Sequence, residues 1–530
     1  METWHIWVQV IALATFAYFY FKRKFSYWAE RGVKGPTPYT PFGNILDFML
    51  HGQVKIEREW ASKYGKVYGI YQGGRPHLTI CDHELVKQVL VKDFPNFVNR
   101  EIPRFEHEIF ALNLFNSEDE QWRRIRAITS PSFTTGKLRG MNQMMNKCIK
   151  KFANYFETNI RENNGEFNIK QVATGFTIDV IALTSFATET NMTDYDPKTN
   201  KFLEHGSKIF DFSWENATRL FSFFTLPLWL NKLFGNSIGF NLRRFNFFID
   251  MSRAIIRQRT NNPNHSKRND LVQLMMDAFI HENELNETNY EKLTASADHD
   301  ENEVESSNST ANESIKKTLT EKEIVAQCFL FFVAGFETTA TTISNTLYLL
   351  ALNPEVQTKL RETLESDLEG IETDSDKYFE EVTNQSPYLE AVMKETLRMC
   401  PPVTRLQRRV GVENYKLAGI PLEKDTTIEI GAYAIHYNPD YYPEPERFNP
   451  DRFLPENKHL LVPYTYLPFG AGPRNCIGMR FAYQEIKLCL AKLIREFKFS
   501  PTPKTMIPLN YSRIGILSCN NIPLKVEKVN

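Results

Sequence analysis

The sequence is poor in cysteine and contains no closely spaced cysteine pair. Its 530 residues include only seven cysteines, at positions 81, 148, 328, 400, 476, 489 and 519. Structural zinc sites and disulfide frameworks need cysteines in pairs or clusters. The scattered cysteines therefore argue against both and indicate a protein of a reducing compartment.

The chain also lacks an excess of either charge. It carries 63 lysines and arginines against 64 aspartates and glutamates, which gives a net charge of -1. Proteins that bind nucleic acid usually show a clear basic excess. We therefore expect no nucleic-acid partner.

One long apolar run opens the sequence. Residues 4–21 are apolar or aromatic except for His5, Gln9 and Thr15, and Lys22-Arg23-Lys24 follows at once. Such a run is long enough to cross a bilayer as a slightly short helix. A basic cluster behind it places the N-terminus in the lumen and the remainder in the cytosol. Because neither the leading charge nor the cleavage site of a signal peptide is evident, the pattern predicts an uncleaved signal anchor at residues 1–24, with a transmembrane helix over 4–21.

The remainder divides into a short hinge and one large domain. Residues 25–44 are rich in proline, which fixes φ and resists regular structure, so we interpret them as a hinge. Residues 45–530 form a single domain in which helical patterns dominate. Short strand-like runs lie near residues 67–71, 77–81 and 426–430. The fold class predicted is therefore mainly α with small β-sheets.

One stretch of this domain departs from globular composition. Residues 281–317 are rich in Asn, Glu, Ser and Asp and contain few apolar residues. Such a segment cannot bury enough apolar surface to offset the entropy lost on ordering. It predicts a flexible loop, and an interaction segment is the alternative.

A single cysteine stands on a glycine-rich loop before a helix-like segment. The loop reads Phe469-Gly470-Ala471-Gly472-Pro473-Arg474-Asn475-Cys476-Ile477-Gly478. Glycine lets backbone approach a flat ligand closely, and N–H groups at a helix start stabilise negative charge on sulfur. These features suit one axial bond from Cys476 to an iron. The alternative is a buried, inert cysteine, the usual fate of a free thiol.

The spacing Phe-x-x-Gly-x-Arg-x-Cys-x-Gly resembles the haem-binding signature of the cytochrome P-450 family, the haem-thiolate monooxygenases. The resemblance covers about residues 35–530, and residues 130–138 look like the microsomal animal drug- and steroid-oxidising branch. It implies the cytochrome P-450 fold, with haem b as the cofactor. Cys476 would be the axial thiolate ligand of the iron, and Phe469 would belong to the haem-binding loop.

Residues 319–352 have the pattern of one long central helix with an unusual middle. Within Ala334-Gly335-Phe336-Glu337-Thr338-Thr339, Gly335 weakens the helix and Thr338 can bond back to a carbonyl one turn earlier. Taken alone, these residues are more typical of an ordinary helix with an exposed glutamate. The resemblance instead implies an oxygen-activation site, with Glu337 and Thr338 as a catalytic acid–alcohol pair that passes protons to the distal side of the haem.

A second helix carries Glu395-Thr396-Leu397-Arg398, whose charged ends share one face. The alternative is a surface salt bridge of little value. The resemblance implies that Glu395 and Arg398 are buried with Arg452 of a later loop, as a structural triad that holds the cysteine loop.

Buried haem propionates need cationic or polar partners. The resemblance assigns this role to Trp122 and Arg126, one helical turn apart, and to Arg474 of the signature loop. Arg408 and Arg100 align with further propionate contacts of the drug-oxidising branch.

Electrons must come from a separate protein, because the chain has no flavin fingerprint or second cofactor domain. The resemblance implies an NADPH-cytochrome reductase, with cytochrome b5 as a second donor. A basic face containing Arg123, Arg124, Lys137 and Arg480 would attract an acidic flavoprotein.

The substrate can be assigned only as a class. Residues 221–230 are strongly apolar, and the resemblance implies a lid that dips into membrane lipid, with core packing as the alternative. The resemblance makes four large apolar residues candidates for the pocket, although core packing is the preferred interpretation of any single one: Phe105, Phe110, Phe331 and Phe332. We expect a lipophilic small molecule: a xenobiotic, a steroid or a fatty acid.

These observations predict a membrane-anchored haem-thiolate monooxygenase of the endoplasmic reticulum membrane, with its catalytic domain facing the cytosol. The first alternative is a haem-thiolate isomerase or lyase, whose members tend to lose the acid–alcohol pair that this chain keeps. The second is a haem-binding or lipid-binding protein without activity.

Overall fold

A computed structural model of the chain describes residues 2–100, 107–190, 195–209, 242–261, 270–281 and 316–529, with isolated positions at 218–219, 221–223, 233 and 285. Phe105, nearly all of the predicted loop 281–317 and most of the predicted lid 221–230 lie outside the described residues.

Helices make up most of the described chain. In chain order they are α1 (Glu2–Lys24), α2 (Tyr27–Glu30), α3 (Ile45–His51), α4 (Gln53–Tyr64), α5 (His83–Lys87), α6 (Glu108–Leu112), α7 (Asp119–Thr129), α8 (Thr135–Arg139), α9 (Asn142–Asn159), α10 (Ile169–Phe186), α11 (Lys201–Ile209), α12 (Leu242–Asn261), α13 (Leu271–Asp277), α14 (Glu321–Leu352), α15 (Pro354–Asp367), α16 (Asp376–Glu380), α17 (Pro387–Met399), α18 (Ala432–His436) and α19 (Met479–Glu496).

The strands are short and form small sheets. They are β1 (Val67–Gln72), β2 (Arg75–Ile80), β3 (Glu166–Asn168), β4 (Phe279–His281), β5 (Lys316–Thr318), β6 (Leu406–Arg409), β7 (Tyr415–Leu417), β8 (Ile420–Leu422), β9 (Thr427–Ile430), β10 (Phe497–Pro501) and β11 (Pro523–Lys528). The largest sheet has the order β1-β2-β9-β6, in which β2 and β9 are parallel. A second sheet has the order β10-β11-β3, and β4-β5 and β7-β8 are two-stranded sheets. The predicted class, mainly α with small β-sheets, is confirmed.

Helix α14 runs through the middle of the larger hydrophobic core. Thr320 and Glu323 cap its start reciprocally: the Glu323 N–H donates to Thr320 Oγ1 at 3.3 Å, and the Thr320 N–H donates to Glu323 Oε2 at 2.9 Å. Asn353 ends the helix and Pro354 opens α15. By length and mean hydropathy α14 is the one described helix that passes as a membrane span, but 72% of its most apolar window is buried inside the protein, which makes it a core helix. Helix α1, which contains the predicted transmembrane segment 4–21, does not reach the same hydropathy, so a membrane span there is not shown.

The segment behind α1 is docked on the largest sheet. The Trp28 side chain is 3% exposed, and its Nε1 donates to the carbonyl of Ile70 at 3.0 Å. A Cβ on Gly69 would lie 2.4 Å from the Trp28 ring, so only glycine leaves room for the indole. The first part of the predicted hinge is therefore held by packing on β1.

Strands β4 and β5 pair antiparallel, with Phe279 opposite Thr318 and His281 opposite Lys316. These strands lie at the two ends of the predicted loop 281–317. The loop thus starts and finishes at one place, next to the beginning of α14.

Candidate active site

The cysteine loop is a tight turn that ends where α19 begins. Gly472 has φ 71°, and a Cβ there would lie 1.9 Å from the carbonyl oxygen of Leu90. The backbone N–H of Cys476 donates to the carbonyl of Phe469 at 2.9 Å, which closes the turn. Glycine is required at position 472 because no side chain fits between the loop and the neighbouring chain.

The Cys476 side chain is accessible to solvent, unlike the six other cysteines, which are buried. Protein atoms nevertheless crowd its sulfur, and this desolvation raises the pKa of the thiol. A backbone N–H of Gly478 and the charges of Arg126 and Arg100 act in the opposite direction and favour the thiolate. Cys476 is therefore an accessible sulfur with cationic neighbours, which suits coordination to a metal.

Four arginines gather near this sulfur with few anionic partners. Arg126, Arg408 and Arg474 are at most 3% exposed, and the Nε atom of each has no hydrogen-bond partner. Burial lowers the pKa of Arg126 and of Arg100 to about 10. For Arg408 and Arg474, burial acts together with the charges of neighbouring arginines and lowers the pKa well below the usual range. Buried cations with unused donors need anions.

The guanidinium groups are held in place by carbonyl groups. Arg474 donates to the carbonyls of Val98 and Ser117, both at 2.5 Å, and lies over the Trp122 ring at 4.9 Å. Arg126 donates to the Asn475 carbonyl at 3.1 Å and to its side-chain oxygen at 2.9 Å. The arginines are thus fixed in position, with Nε donors left for a ligand.

The residues present fit a haem. The accessible sulfur matches an axial iron ligand, and the arginine cluster matches two carboxylates. Among the described residues, no group of three or more His, Cys, Asp and Glu could hold a bare metal ion. Trp122 is 1% exposed and packs on Phe94 at 5.7 Å, and the ring of Phe469 packs on Tyr483 at 5.2 Å, so packing fixes both aromatic side chains next to the arginines and the cysteine.

The middle of α14 presents a small accessible face. Ala334 is exposed in the middle of this mostly buried helix, and Gly335 and Thr338 beside it are partly exposed. The Thr338 hydroxyl donates to the Ala334 carbonyl at 2.7 Å, as the sequence predicts, while the helix continues without a break. A Cβ on Gly335 would lie 3.0 Å from Ile181, so Gly335 also permits the close approach of α10.

The hydrogen-bond partners of Glu337 differ from those of Thr338. Glu337 is 6% exposed, and its Oε1 accepts from Lys170 Nζ at 2.9 Å and from Ser518 Oγ at 2.9 Å. Lys170 on α10 is itself 4% exposed. The expected acid–alcohol pair is therefore two groups on adjacent faces of one helix, and the acid is held in a buried ion pair that the sequence analysis missed.

The structure brings the predicted triad together. Glu395 and Arg398 are fully buried and joined by two bonds, of 2.7 and 2.9 Å. Arg452 Nε lies 3.4 Å from Glu395 Oε1, and the backbone N–H of Asn449 donates to the same oxygen at 2.9 Å. The surface-pair alternative for Glu395 and Arg398 is thus wrong.

The described pocket candidates pack within the core. Phe110 contacts Phe329 at 5.1 Å between ring centroids, Phe331 contacts Phe133 at 5.2 Å, and Phe332 stacks on Phe248 at 4.2 Å. All three candidates are at most 8% exposed. They serve as packing between helices in this structure.

The predicted basic face is partly occupied by internal ion pairs. Arg124 binds Glu323 and donates to the Thr318 carbonyl at 3.2 Å, which ties α7 to the start of α14 and to β5. Arg123 pairs with Glu120 at 2.7 Å. Lys137 is exposed, and Arg480 lines a cleft beside Cys476.

A mainly helical fold with a lone accessible cysteine, an arginine cluster beside it and a buried Glu–Arg–Arg triad defines a haem-thiolate enzyme. Comparison with known proteins agrees: the family model described as Cytochrome P450 matches residues 33–299 and 300–527. The chain is similar to cytochrome P450 6k1 of Blattella germanica, with 35% identity over 98% of this chain and 97% of that protein. It is also similar to cytochrome P450 3A41 of Mus musculus, with 34% identity over 96% and 94%, and to cytochrome P450 3A2 of Rattus norvegicus, with 32% identity over 97% and 95%.

The chain belongs to the cytochrome P450 family. It is a monooxygenase, an oxidoreductase that uses haem with an axial cysteine thiolate. The relatives include animal enzymes of the 3A group, so the expected branch is confirmed as well.

Proposed function

We propose that this cytochrome P450 is anchored in the endoplasmic reticulum membrane, faces the cytosol and oxidises lipophilic small molecules, namely xenobiotics, steroids or fatty acids. The observation that carries the proposal is the exposed apolar surface of α1, where Trp4, Ile11 and Phe16 are 71%, 62% and 70% exposed. A helix that leaves such side chains outside the catalytic domain is stabilised by lipid. An enzyme held at the membrane meets lipophilic substrates where they concentrate.

When haem is bound, Cys476 would be its sulfur ligand. Arg100, Arg126, Arg408 and Arg474, with Trp122, would hold its two carboxylates. Bound haem supplies the activation of dioxygen and the insertion of one oxygen atom into the substrate. The contribution of this chain is to orient that group, to exclude bulk water and to provide protons.

Thr338 is the proposed proton donor to the distal side. Its hydroxyl donates to the Ala334 carbonyl and lies on the small accessible face of α14, beside the exposed Ala334. Glu337 lies on the neighbouring face of the same helix, where Lys170 and Ser518 hold its carboxylate, and would support the supply of protons to Thr338 from there. A Thr338→Ala variant should keep normal haem content and lose product formation, while NADPH consumption continues.

Electrons come from an NADPH-cytochrome reductase, with cytochrome b5 as a second donor. Of the predicted basic face, Lys137 is the better docking candidate, because its side chain is exposed whereas Arg124 already binds Glu323. Charge reversal at Lys137 should weaken reductase-supported turnover and flatten its dependence on salt. Arg139 is the matched control, since it lies on the same short helix but is paired with Glu380.

The central experiment uses the full chain in lipid vesicles with purified reductase. We expect NADPH-dependent oxygen consumption that increases with a lipophilic substrate, found by a spectral binding screen. Cys476→Ala should abolish the red-shifted Soret band of the reduced, carbon-monoxide-bound protein. Cys489→Ala, at a buried cysteine on the following helix, should retain it. A normal spectrum without reductase-dependent turnover would overturn the assignment of the electron donor.

The anchor is tested separately. Deletion of residues 2–24 should release the protein from vesicles at physiological salt while the carbon-monoxide spectrum is kept. If the shortened chain stays with the vesicles as fully as the intact chain, α1 is not the anchor.

A further inference from the structure

The Glu395–Arg398 pair does not reach the cysteine loop through its own charged groups. Arg398 donates to the carbonyls of His436 and Pro445, at 2.8 and 2.9 Å, and Glu395 accepts from Asn449. These partners all lie before the loop in the chain. Another residue must therefore connect this ion pair to the loop that holds the Cys476 sulfur.

His436 has the right contacts on both sides. Its Nδ1 lies 2.9 Å from the backbone oxygen of Arg398, and its Nε2 lies 2.9 Å from the backbone nitrogen of Leu467. Because the Leu467 N–H can only donate, Nε2 is the acceptor. The ring proton is therefore on Nδ1 and is donated to the Arg398 carbonyl.

The surroundings keep this imidazole neutral and immobile. His436 is fully buried and stacks on Tyr466, with ring centroids 6.0 Å apart. Burial first, and then the charge of Arg398, lowers its pKa to about 3. The same tautomer is thus present throughout the working pH range.

Leu467 is the entry to the cysteine loop. Its carbonyl accepts from the Gly470 N–H at 3.1 Å, and the next turn is closed by the bond from the Cys476 N–H to the Phe469 carbonyl. A hydrogen bond that fixes the Leu467 N–H therefore fixes the start of the turn that presents the sulfur.

We propose that His436 is a positioning residue for the haem thiolate. Its two hydrogen bonds join the backbone of Arg398 to the backbone of Leu467, so that the buried ion pair fixes the position of the Cys476 loop. Without the imidazole, a buried N–H and a buried carbonyl lose their partners. The loop is then held less firmly, and the sulfur separates from the iron more readily.

The test compares His436→Gln, His436→Asn and His436→Phe in the full-length, haem-loaded protein. A glutamine oxygen can take the place of Nε2 and accept from Leu467, whereas asparagine reaches only the position of Nδ1. Tyr442→Phe is the matched control, because it removes a buried bond to Thr465, 3.2 Å long, in the same neighbourhood but outside the path. Two quantities are measured: the ratio of red-shifted to unshifted Soret bands of the reduced, carbon-monoxide-bound protein, and the rate of haem transfer to an acceptor globin.

We expect His436→Phe to lower the band ratio and to speed haem transfer, each by about tenfold or more, because both hydrogen bonds of the imidazole are lost and a buried donor and a buried acceptor stay unpaired. His436→Gln should lie nearer to the wild type than His436→Asn. If circular dichroism shows that His436→Phe does not fold, the proposal is decided by whether His436→Gln keeps a higher band ratio and a slower haem transfer than His436→Asn.

Three results would overturn the proposal: folded variants within twofold of the wild type, variants that match Tyr442→Phe, or a complete failure of all three to fold, which would make the role purely structural. The wild-type spectrum separates this test from the proposed function. A wild type with the red-shifted band but no reductase-dependent turnover leaves the role of His436 intact.

Discussion

The pH dependence of stability offers a sharp test of the buried charges beneath the largest sheet. Glu57 of α4 and Glu429 of β9 are 2% and 0% exposed and share one cation. Arg405 Nε lies 2.9 Å from Glu57, and its Nη1 lies 2.5 Å from Glu429. Glu429 also accepts from Gln72 at 2.6 Å and contacts His77 at 2.7 Å, so it has the richer set of partners.

This difference in partners separates the pKa values of the two carboxyl groups. Burial raises the pKa of Glu57 to about 8, with the charge of Glu429 adding to the rise and Arg405 opposing it. Burial also disfavours the charge on Glu429, but Arg405 and His77 outweigh it and lower the pKa of Glu429 to about 2. At neutral pH Glu57 is therefore mostly protonated, and Glu429 is ionised.

The direction of the effect follows from linkage. Between pH 4.5, the ordinary value for a glutamate, and about pH 8, the folded protein keeps a proton on Glu57 that the unfolded chain releases. The free energy of unfolding therefore falls as pH rises through this window. A pKa difference of about 3.5 units at about 1.4 kcal/mol each bounds the loss at about 5 kcal/mol. Glu429 titrates below this window and leaves the range from pH 5 to 8 undisturbed.

Glu57→Gln keeps the shape of the side chain and removes the titration. Urea unfolding of the wild type and the variant at several pH values from 5 to 8 should show a steeper loss of stability for the wild type, with the two curves separating by several kcal/mol at pH 8. Glu59→Gln is the control, because the Glu59 side chain on the same helix is 56% exposed. Parallel pH profiles for the wild type and Glu57→Gln would refute the reasoning.

Three further predictions follow from single contacts. Arg408→Met removes one of the buried cations. It should increase the rate of haem transfer to an acceptor globin about tenfold or more, as the loss of a charged hydrogen bond predicts. An unchanged rate would contradict the role of Arg408 in binding the haem carboxylates. Lys170→Met leaves Glu337 buried without its cation and should lower the free energy of unfolding by about 3–5 kcal/mol. Lys170→Arg keeps the positive charge and should lose far less. Equal losses for the two variants would show that the lost charge does not cause the destabilisation. Gly472→Ala should abolish haem incorporation, because its Cβ would overlap the Leu90 carbonyl. Gly470 has a similar φ of 76°, but a Cβ there would meet its nearest atoms at the ordinary contact distance of 3.8 Å, so Gly470→Ala should cost only about 1–2 kcal/mol in urea unfolding. Similar losses at both positions would mean that backbone strain alone matters.

Local features of the site could be predicted from the sequence because neighbours in the chain create them. Thr320 and Glu323 form their capping box within one turn, and Glu395 and Arg398 meet across one turn of α17. The Cys476 loop is similarly local, since closely spaced glycines and a following helix define its shape. For such groups, spacing along the chain is already spacing in the structure.

The partners that lie far apart in the chain could not be predicted. Lys170 meets Glu337 across 167 positions, and His436 meets Leu467 across 31. Arg124 was expected on a docking face, but it is used inside the molecule by Glu323. These pairings depend on which helix faces meet, and the pattern of one helix does not carry that information.

The buried charges themselves distinguish the cofactor site from the rest of the core. Glu395 with Arg398, and Lys170 with Glu337, are buried ion pairs in which each charge has its counterpart, so they are complete within the protein. The arginine cluster beside Cys476 differs, because its Nε donors are unused and its members lower one another's pKa. Uncompensated buried cations are too costly to persist for stability alone. Their presence therefore indicates that this site binds an anionic ligand, on physical grounds that are independent of the signature around the cysteine.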